Sequence, residues 1–297
     1  MSRVRSLFAN PWARPRFLWA VGIGYVLWTL IPVVVAIVFS FNSTRSTSLW
    51  AGFSLRWWLH DPNDSLLHSP ELTHDIAQSV KLAAGAALIA VPLGVAFAIA
   101  LHRWRGKVAS SANFIMMFSL ITPELILAVS LFLLFTTLFA SLPGLGSVAQ
   151  MAGLVVLALA YPVVIVRARL LSIGREYEEA AMDLGASPVQ ALRRVTIPLL
   201  YPAIFASAAI IFAFSLDDFV IVNQLARDSS QETVAMFIYS SARTSPLPNA
   251  NAVGTLMLVT STLVIVAAYL VYRRMIRRTV PSADVPTAGA AMEGLPV

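Results

Sequence analysis

Three carboxylates in this chain stand among apolar residues. Glu124 lies in "LITPELILAV", and Asp217 and Asp218 lie together in "FSLDDFVIVNQ". An ionised acid at the centre of a bilayer costs about 2.5–3.5 kcal/mol on insertion scales, so acids in such surroundings are functional candidates. Hydrolytic chemistry would need a nucleophile with a base beside it. His60, His68, His74 and His102 all fall in loops or at a helix end, and neither HExxH nor GxSxG occurs. Cysteine is absent, which excludes disulfides and thiolate metal sites. The apolar segments hold no cation to neutralise the acids, and a cationic substrate would supply the missing charge.

Depth decides how much these acids cost. Glu124 is about 12 residues into its apolar stretch, roughly 18 Å along a helix and beyond the midplane. Pro123 beside it loosens the helical ladder. Asp217 lies 19 residues beyond Pro198, roughly 28 Å along a helix and close to the full hydrocarbon thickness. Two readings of the pair stay open: an acidic helix end capping an outer loop, or part of a substrate path.

The elements that must position these residues are membrane spans. The chain has 297 residues, 58% hydrophobic and only 12% charged, against about 25% charged in soluble domains. Six stretches are long enough to cross a bilayer, at about 17–41, 76–101, 112–140, 148–166, 199–225 and 251–272. The first is far longer than the apolar core of a cleaved signal peptide. Sixteen of the 21 basic residues fall on the side of both termini, the 102–111 loop and the 167–194 segment. By the positive-inside rule that side is cytoplasmic. The net charge of +6 therefore reports topology rather than nucleic-acid binding. The expectation is an all-α membrane protein with six transmembrane helices over residues 17–280. A cytoplasmic arm (1–16) precedes them, and a disordered Pro/Gly/Ala-rich tail (281–297) follows. Trp50, Trp57 and Trp58 in the first outer loop read equally well as interfacial belt residues or as binding residues.

A polar stretch interrupts this pattern. "EEAAMDLGASPVQALRRVTIP" carries Glu178, Glu179, Asp183, Arg193 and Arg194, with Arg175 just upstream. It reads as two short cytoplasmic helices. Acids in the early turns complement the first helix dipole, and Gly185 offers a left-handed C-cap. Ser187-Pro188 opens the second helix, which runs through about Arg194. Ala180, Ala181 and Gly185 leave one side nearly bare, which suits insertion into a groove on another protein.

The stretch resembles the EAA loop of ABC-importer permeases, through Glu179, Ala180, Ala181, Gly185, Val195, Ile197 and Pro198. Val195 and Ile197 stand where Ile and Leu are more usual. With "FSFNSTRSTSLWAGFSLRWW", "TPELILAVSLFLLF", "FSLDDFVIVNQL" and "NAVGTLMLV", the chain from about 25 to 270 is similar to permease subunits of spermidine/putrescine importers. In that subfamily the acid after "TP" is often Asp rather than Glu.

The resemblance implies a MetI-like type I fold with a cytoplasmic coupling helix, in a bacterial inner membrane with both termini cytoplasmic. It implies a second homologous permease, two copies of an ATP-binding subunit and an external polyamine-binding protein as partners, besides membrane lipid. ATP and magnesium would sit on the ATPase. No cofactor is expected on this chain, which lacks GxxxxGK[ST] and is not itself a catalyst. Trp57, Glu124, Ser215, Asp217 and Asp218 are the expected polyamine contacts, and Glu179, Ala180, Ala181 and Gly185 the coupling residues. A protonated polyamine suits spaced carboxylates, and aromatic faces add cation–π contacts of about 0.5–2 kcal/mol each. Opines, thiamine or ferric iron on the same scaffold are the alternative cargoes. An intramembrane hydrolase lacks its motifs, and a channel formed by this chain alone leaves the docking loop unexplained.

Overall fold

The computed structural model describes residues 16–104, 106–138, 145–244 and 248–279. Nearly all of the expected N-terminal arm, the tail and most of the tight turn at 141–146 lie outside the described residues. Among the described residues the regular structure is helical, apart from one isolated antiparallel bridge between Asn42 and Phe53. In chain order the helices are α1 (Arg16–Phe39), α2 (Pro70–Arg103), α3 (Lys107–Ile121), α4 (Glu124–Leu133), α5 (Ser147–Ala158) and α6 (Ala160–Ile173). Then follow α7 (Glu176–Asp183), α8 (Pro188–Ala191), α9 (Ile197–Leu216), α10 (Val220–Leu225), α11 (Val234–Thr244) and α12 (Pro248–Thr279). Among the described residues five helical stretches are long and apolar enough to cross a bilayer, Leu18–Phe39, Pro70–Arg103, Ser147–Ile173, Pro188–Leu216 and Pro248–Arg274, and the bent pair Ser110–Ile121 with Glu124–Leu138 makes a sixth if it is one span.

The third expected span is not one straight helix. α3 stops at Ile121, and the chain turns by 106° before continuing as α4. The residue before a proline is sterically excluded from the α region. Thr122 accordingly adopts an extended ψ of 122°. Pro123 supplies no N–H to continue the ladder, but its carbonyl accepts the first bonds of α4, from Ile126 and Leu127 at 2.9 and 3.1 Å. The proline therefore ends one helix and starts another, rather than merely loosening it. The fifth span also ends earlier than expected. α9 ends at Leu216, and a separate short helix, α10, follows Asp217-Asp218-Phe219.

The chain divides into two compact units, one formed by residues to Thr73 with Ile238–Leu256, the other by His74–Phe237 with the residues from Met257. In the second unit one core cluster joins Leu82, Ala86 and Ala90 of α2 with Ala128 of α4, Leu154 and Ala158 of α5, Ile211 of α9, and Ile221, Val222 and Leu225 of α10. A second cluster joins Ala98 and Leu101 of α2 with Val163, Val166 and Leu170 of α6, and with Leu200 and Ala203 of α9. Small residues recur because helices in lipid associate by close backbone packing. Gly153 shows the tolerance: a Cβ there would meet Ile221 Cγ2 at 2.6 Å and Leu225 Cδ1 at 2.7 Å. That glycine seats α10 against α5.

In the first unit the outer loop folds around Trp57, which is fully buried. The Trp57 indole N–H donates to the Asn42 carbonyl at 2.7 Å. Asn42 Nδ2 donates to the carbonyls of Ser46 (3.0 Å) and Leu49 (2.7 Å), while its Oδ1 accepts from the Ala51 N–H (3.0 Å). Phe41 stacks on Phe53 and Trp58 at 5.2 and 5.4 Å. Asp61 accepts from Arg56 Nε at 2.8 Å and from the N–H groups of Asn63 and Asp64 at 3.2 and 3.0 Å. The Asp64 N–H first, then the Arg56 guanidinium, hold its carboxyl below the ordinary aspartate range against the opposing effect of desolvation.

Gly153→Leu should overpack the α5–α10 contact and cost about 1–3 kcal/mol, read as a lower unfolding midpoint in detergent. Gly22→Leu, where nothing lies within 4 Å, should leave the midpoint unchanged. Because the folded pKa of Asp61 is depressed, its contribution is present above the ordinary value and is lost as pH falls through the lower folded one. Tryptophan emission should therefore shift red reversibly below about pH 4, and Asp61→Asn should show the shifted emission already at pH 7.

Candidate functional site

Two helix breaks in the second unit build the site. Glu124 is the first residue of α4, half-buried, where a negative charge complements the helix N-terminus. Ser215 closes α9, only 3% exposed, and its hydroxyl has no partner. Asp217 follows α9 at its C-terminal cap and is exposed. Asp218 turns inward and is 7% exposed. Its Oδ1 accepts the N–H groups of Ile221 (3.1 Å) and Val222 (3.2 Å), which opens α10. Its Oδ2 is buried with no donor to it. α4, which opens at Glu124, packs against α10, which Asp218 caps, and the Glu124 charge acts on the Asp218 carboxyl.

Among the described residues none of these acids forms an ion pair. Two carboxyl groups this close need a proton or a cation between them. A buried polar atom without a partner likewise calls for an explanation outside the folded chain. Asp218 Oδ2 and Ser215 Oγ, beside the Glu124–Asp218 pair, are what a cationic, hydrogen-bonding ligand or a partner subunit would satisfy. The straight-helix depth estimated for Glu124 does not hold, because the 106° turn falls immediately before it. The 28 Å path to Asp217 does hold, since Pro188–Leu216 is continuous.

Trp57 belongs to the other unit and has a different setting. Its side chain is enclosed, its N–H is spent on Asn42, and its ring face already carries the Arg56 guanidinium at 4.9 Å. Here it is the core of the outer loop. Neither an interfacial belt nor an open binding face describes it.

The polar stretch forms the two expected helices, with different boundaries. α7 ends in a Schellman motif: Gly185 has φ +89°, its N–H bonds Met182 O at 2.9 Å, and the Ala186 N–H bonds Ala181 O at 3.0 Å. Ser187 and Gln190 then form a reciprocal capping box at 3.3 and 3.0 Å. The second helix does not stop near Arg194. α8 passes through a π-helical turn, Leu192–Thr196, directly into α9. Glu179, Ala180 and Gly185 are exposed, and the apolar side chains of Tyr177, Leu184 and Val189 protrude, Leu184 at 90% exposure.

Glu178 behaves differently from its neighbour. One oxygen accepts Arg103 Nη2 of α2 at 2.5 Å, and the other accepts the Thr196 hydroxyl at 3.2 Å. The sequence marked Arg103 only as a topological charge and Glu178 only as a dipole partner. Seventy-five residues separate them, so only opposite charge at cytoplasmic positions hinted at the link.

Residues 90–281 match the family model described as "Binding-protein-dependent transport system inner membrane component". The chain belongs to this family. It is 34% identical over 232 residues to the putrescine transport system permease protein PotI of Escherichia coli K12, covering 76% of this chain and 80% of that protein. To the spermidine/putrescine permease PotC of the same organism it is 33% identical over 244 residues, covering 82% and 89%. Among solved structures it superposes on a bacterial alginate ABC transporter with TM-score 0.69 and 16% identity, over 87% of this chain and 95% of that one. On the MetNI methionine ABC transporter it reaches TM-score 0.56 and 19% identity, over 69% and 95%. At those identities the superpositions establish the fold, an ABC-importer permease of the MetI type.

The Glu178 link generates a direct test. Glu178→Ala should accelerate hydrogen exchange of the α7 amides by about tenfold, as expected on losing two side-chain bonds of this kind. Pairing Arg103→Glu with Glu178→Arg should recover part of the protection.

Proposed function

We propose that this chain is one transmembrane half of an ATP-driven importer of polyamines of the putrescine/spermidine class. The observation that carries the reading is the pair formed by half-buried Glu124 and buried Asp218 where two spans break, with no counter-ion among the described residues. A protonated amine has both the charge and the donors that this pair lacks. Asp217, exposed one residue away, offers a second anionic contact to a cargo with spaced ammonium groups, and the unpartnered Ser215 hydroxyl a further acceptor. The names of the permeases at 33–34% identity support the same cargo. Trp57 contributes by holding the outer loop in shape rather than by lending its face.

Transport needs the pair to be offered to the outside and then to the inside. The chain carries no phosphate-binding loop, so the free energy comes from ATP and magnesium on a separate subunit. The α7–α8 segment is the docking element, with Glu179, Ala180, Ala181 and Gly185 as its contacts and protruding Leu184 and Val189 as apolar anchors. A second, homologous permease completes the pathway and two ATP-binding subunits engage from the cytoplasm. A binding protein delivers the cargo on the outer side of a bacterial inner membrane, and both termini face inward. In this scheme Glu178 holds α7 to α2 while Glu179 meets the ATPase.

Proteoliposomes holding this chain with its partner permease, ATPase and binding protein should accumulate labelled putrescine or spermidine on ATP addition. Competition by polyamines but not by thiamine, opines or ferric iron fixes the cargo; ATP turnover that no polyamine stimulates would overturn it. Replacing Asp217 and Asp218 together by Asn should lower uptake by about tenfold or more, the scale of a lost buried charge contact, with the ATPase still bound. Glu179→Lys should abolish uptake with the chain still inserted.

A further inference from the structure

One buried amide in the second unit has no place in the scheme above. Gln150 of α5 is completely inaccessible to solvent. Its Nε2 donates twice, to the carbonyls of Val222 at 2.9 Å and Gln231 at 3.1 Å. Its Oε1 accepts from Gln78 Nε2 of α2 at 3.3 Å, and Gln78 also donates to Ser147 Oγ at 2.9 Å. Both N–H groups and the carbonyl of Gln150 are therefore engaged. A fully satisfied buried amide rigidifies its surroundings, whereas a half-satisfied one is costly.

What it rigidifies is α10. With six residues, α10 is too short to satisfy most of its own backbone groups. Asp218 serves its first turn by accepting the Ile221 and Val222 N–H groups. Gln150 serves the other side of the same residue, the Val222 carbonyl, and the Gly146 N–H takes the Leu225 carbonyl at 2.8 Å. Val222 is thus gripped on its N–H by the site carboxylate and on its C=O by Gln150. If Gln150 lets go, the N–H donors that fix Asp218 Oδ1 move with the helix, and the carboxyl group loses its fixed orientation.

We infer that Gln150 is a positioning residue for the Glu124–Asp218 carboxyl pair: it sets the place of α10, and through it the orientation of Asp218 toward the cargo. Gln78 orients Gln150 in turn. The inference rests on the reading of Glu124 and Asp218 as the cation site.

A double-mutant cycle on ATP-dependent putrescine uptake tests it, using the complete complex in proteoliposomes. Gln150→Met keeps the volume and removes every hydrogen bond. It should lower uptake by about tenfold, Asp218→Asn should do likewise, and the double variant should be no worse than either within about twofold, because both act through one carboxyl. A merely structural glutamine would give multiplied losses of about a hundredfold, and that result overturns the inference, as does normal uptake by Gln150→Met. If Gln150→Met does not assemble, Gln78→Met serves instead. It leaves Gln150 in place and should give a smaller loss that is again absent on the Asp218→Asn background; multiplied losses there overturn the inference equally. Normal uptake by Asp218→Asn alone sinks the cation-site reading itself, whereas reduced uptake there with multiplied losses in the double variant sinks only the role of Gln150.

Discussion

Hydrocarbon offers no hydrogen bonds, so each backbone group exposed by a broken transmembrane helix must find its partner within the protein. This chain breaks two of its spans, at Thr122-Pro123 and at Asp217-Asp218-Phe219, and the rest of the second unit is arranged around the consequences. At the first break the Pro123 carbonyl is absorbed by the opening turn of α4. At the second, Asp218, Gln150 and Gly146 between them take the free groups of α10. A carboxylate used as a helix cap is ordinary. One whose second oxygen is left buried without a donor, beside another carboxyl, is costly enough to need a purpose.

The same architecture brings the two functional regions onto one element. α2 holds Gln78 near one end and Arg103 at the other, about 38 Å apart along a straight helix. Gln78 joins the clasp around α10, and Arg103 joins Glu178 of the docking segment. α8 also runs without interruption through Leu192–Thr196 into α9, which carries Ser215 in its last turn and leads into Asp217. Two continuous helices thus link the protruding α7–α8 segment with the residues around the acid pair.

Much of this was legible in the sequence because its causes are local. Span length follows from bilayer thickness, and the Gly185 and Ser187-Pro188 signals from short-range backbone chemistry that the structure reproduces bond for bond. Membership of the permease family was legible for the same reason, since the EAA pattern is a local run of residues. Trp57 was not. An aromatic in an outer loop looks alike whether it lies at a headgroup interface, faces a ligand or fills a small core, and only the folding of residues 42–66 around it decides.

What the sequence determined by itself was the class of protein, its apolar spans and the presence of acids among apolar residues. What only the tertiary structure decided was how those acids are held. A proline inside an apolar run is compatible with a loosened helix or a complete turn, and packing selects the turn. Gln150 reads as one polar residue among apolar neighbours, and its importance lies in carbonyls 72 and 81 residues away. Composition and spacing report the cost of placing a polar group in a membrane. Which partner meets that cost depends on distances between segments remote in the chain, and those distances exist only in the folded molecule.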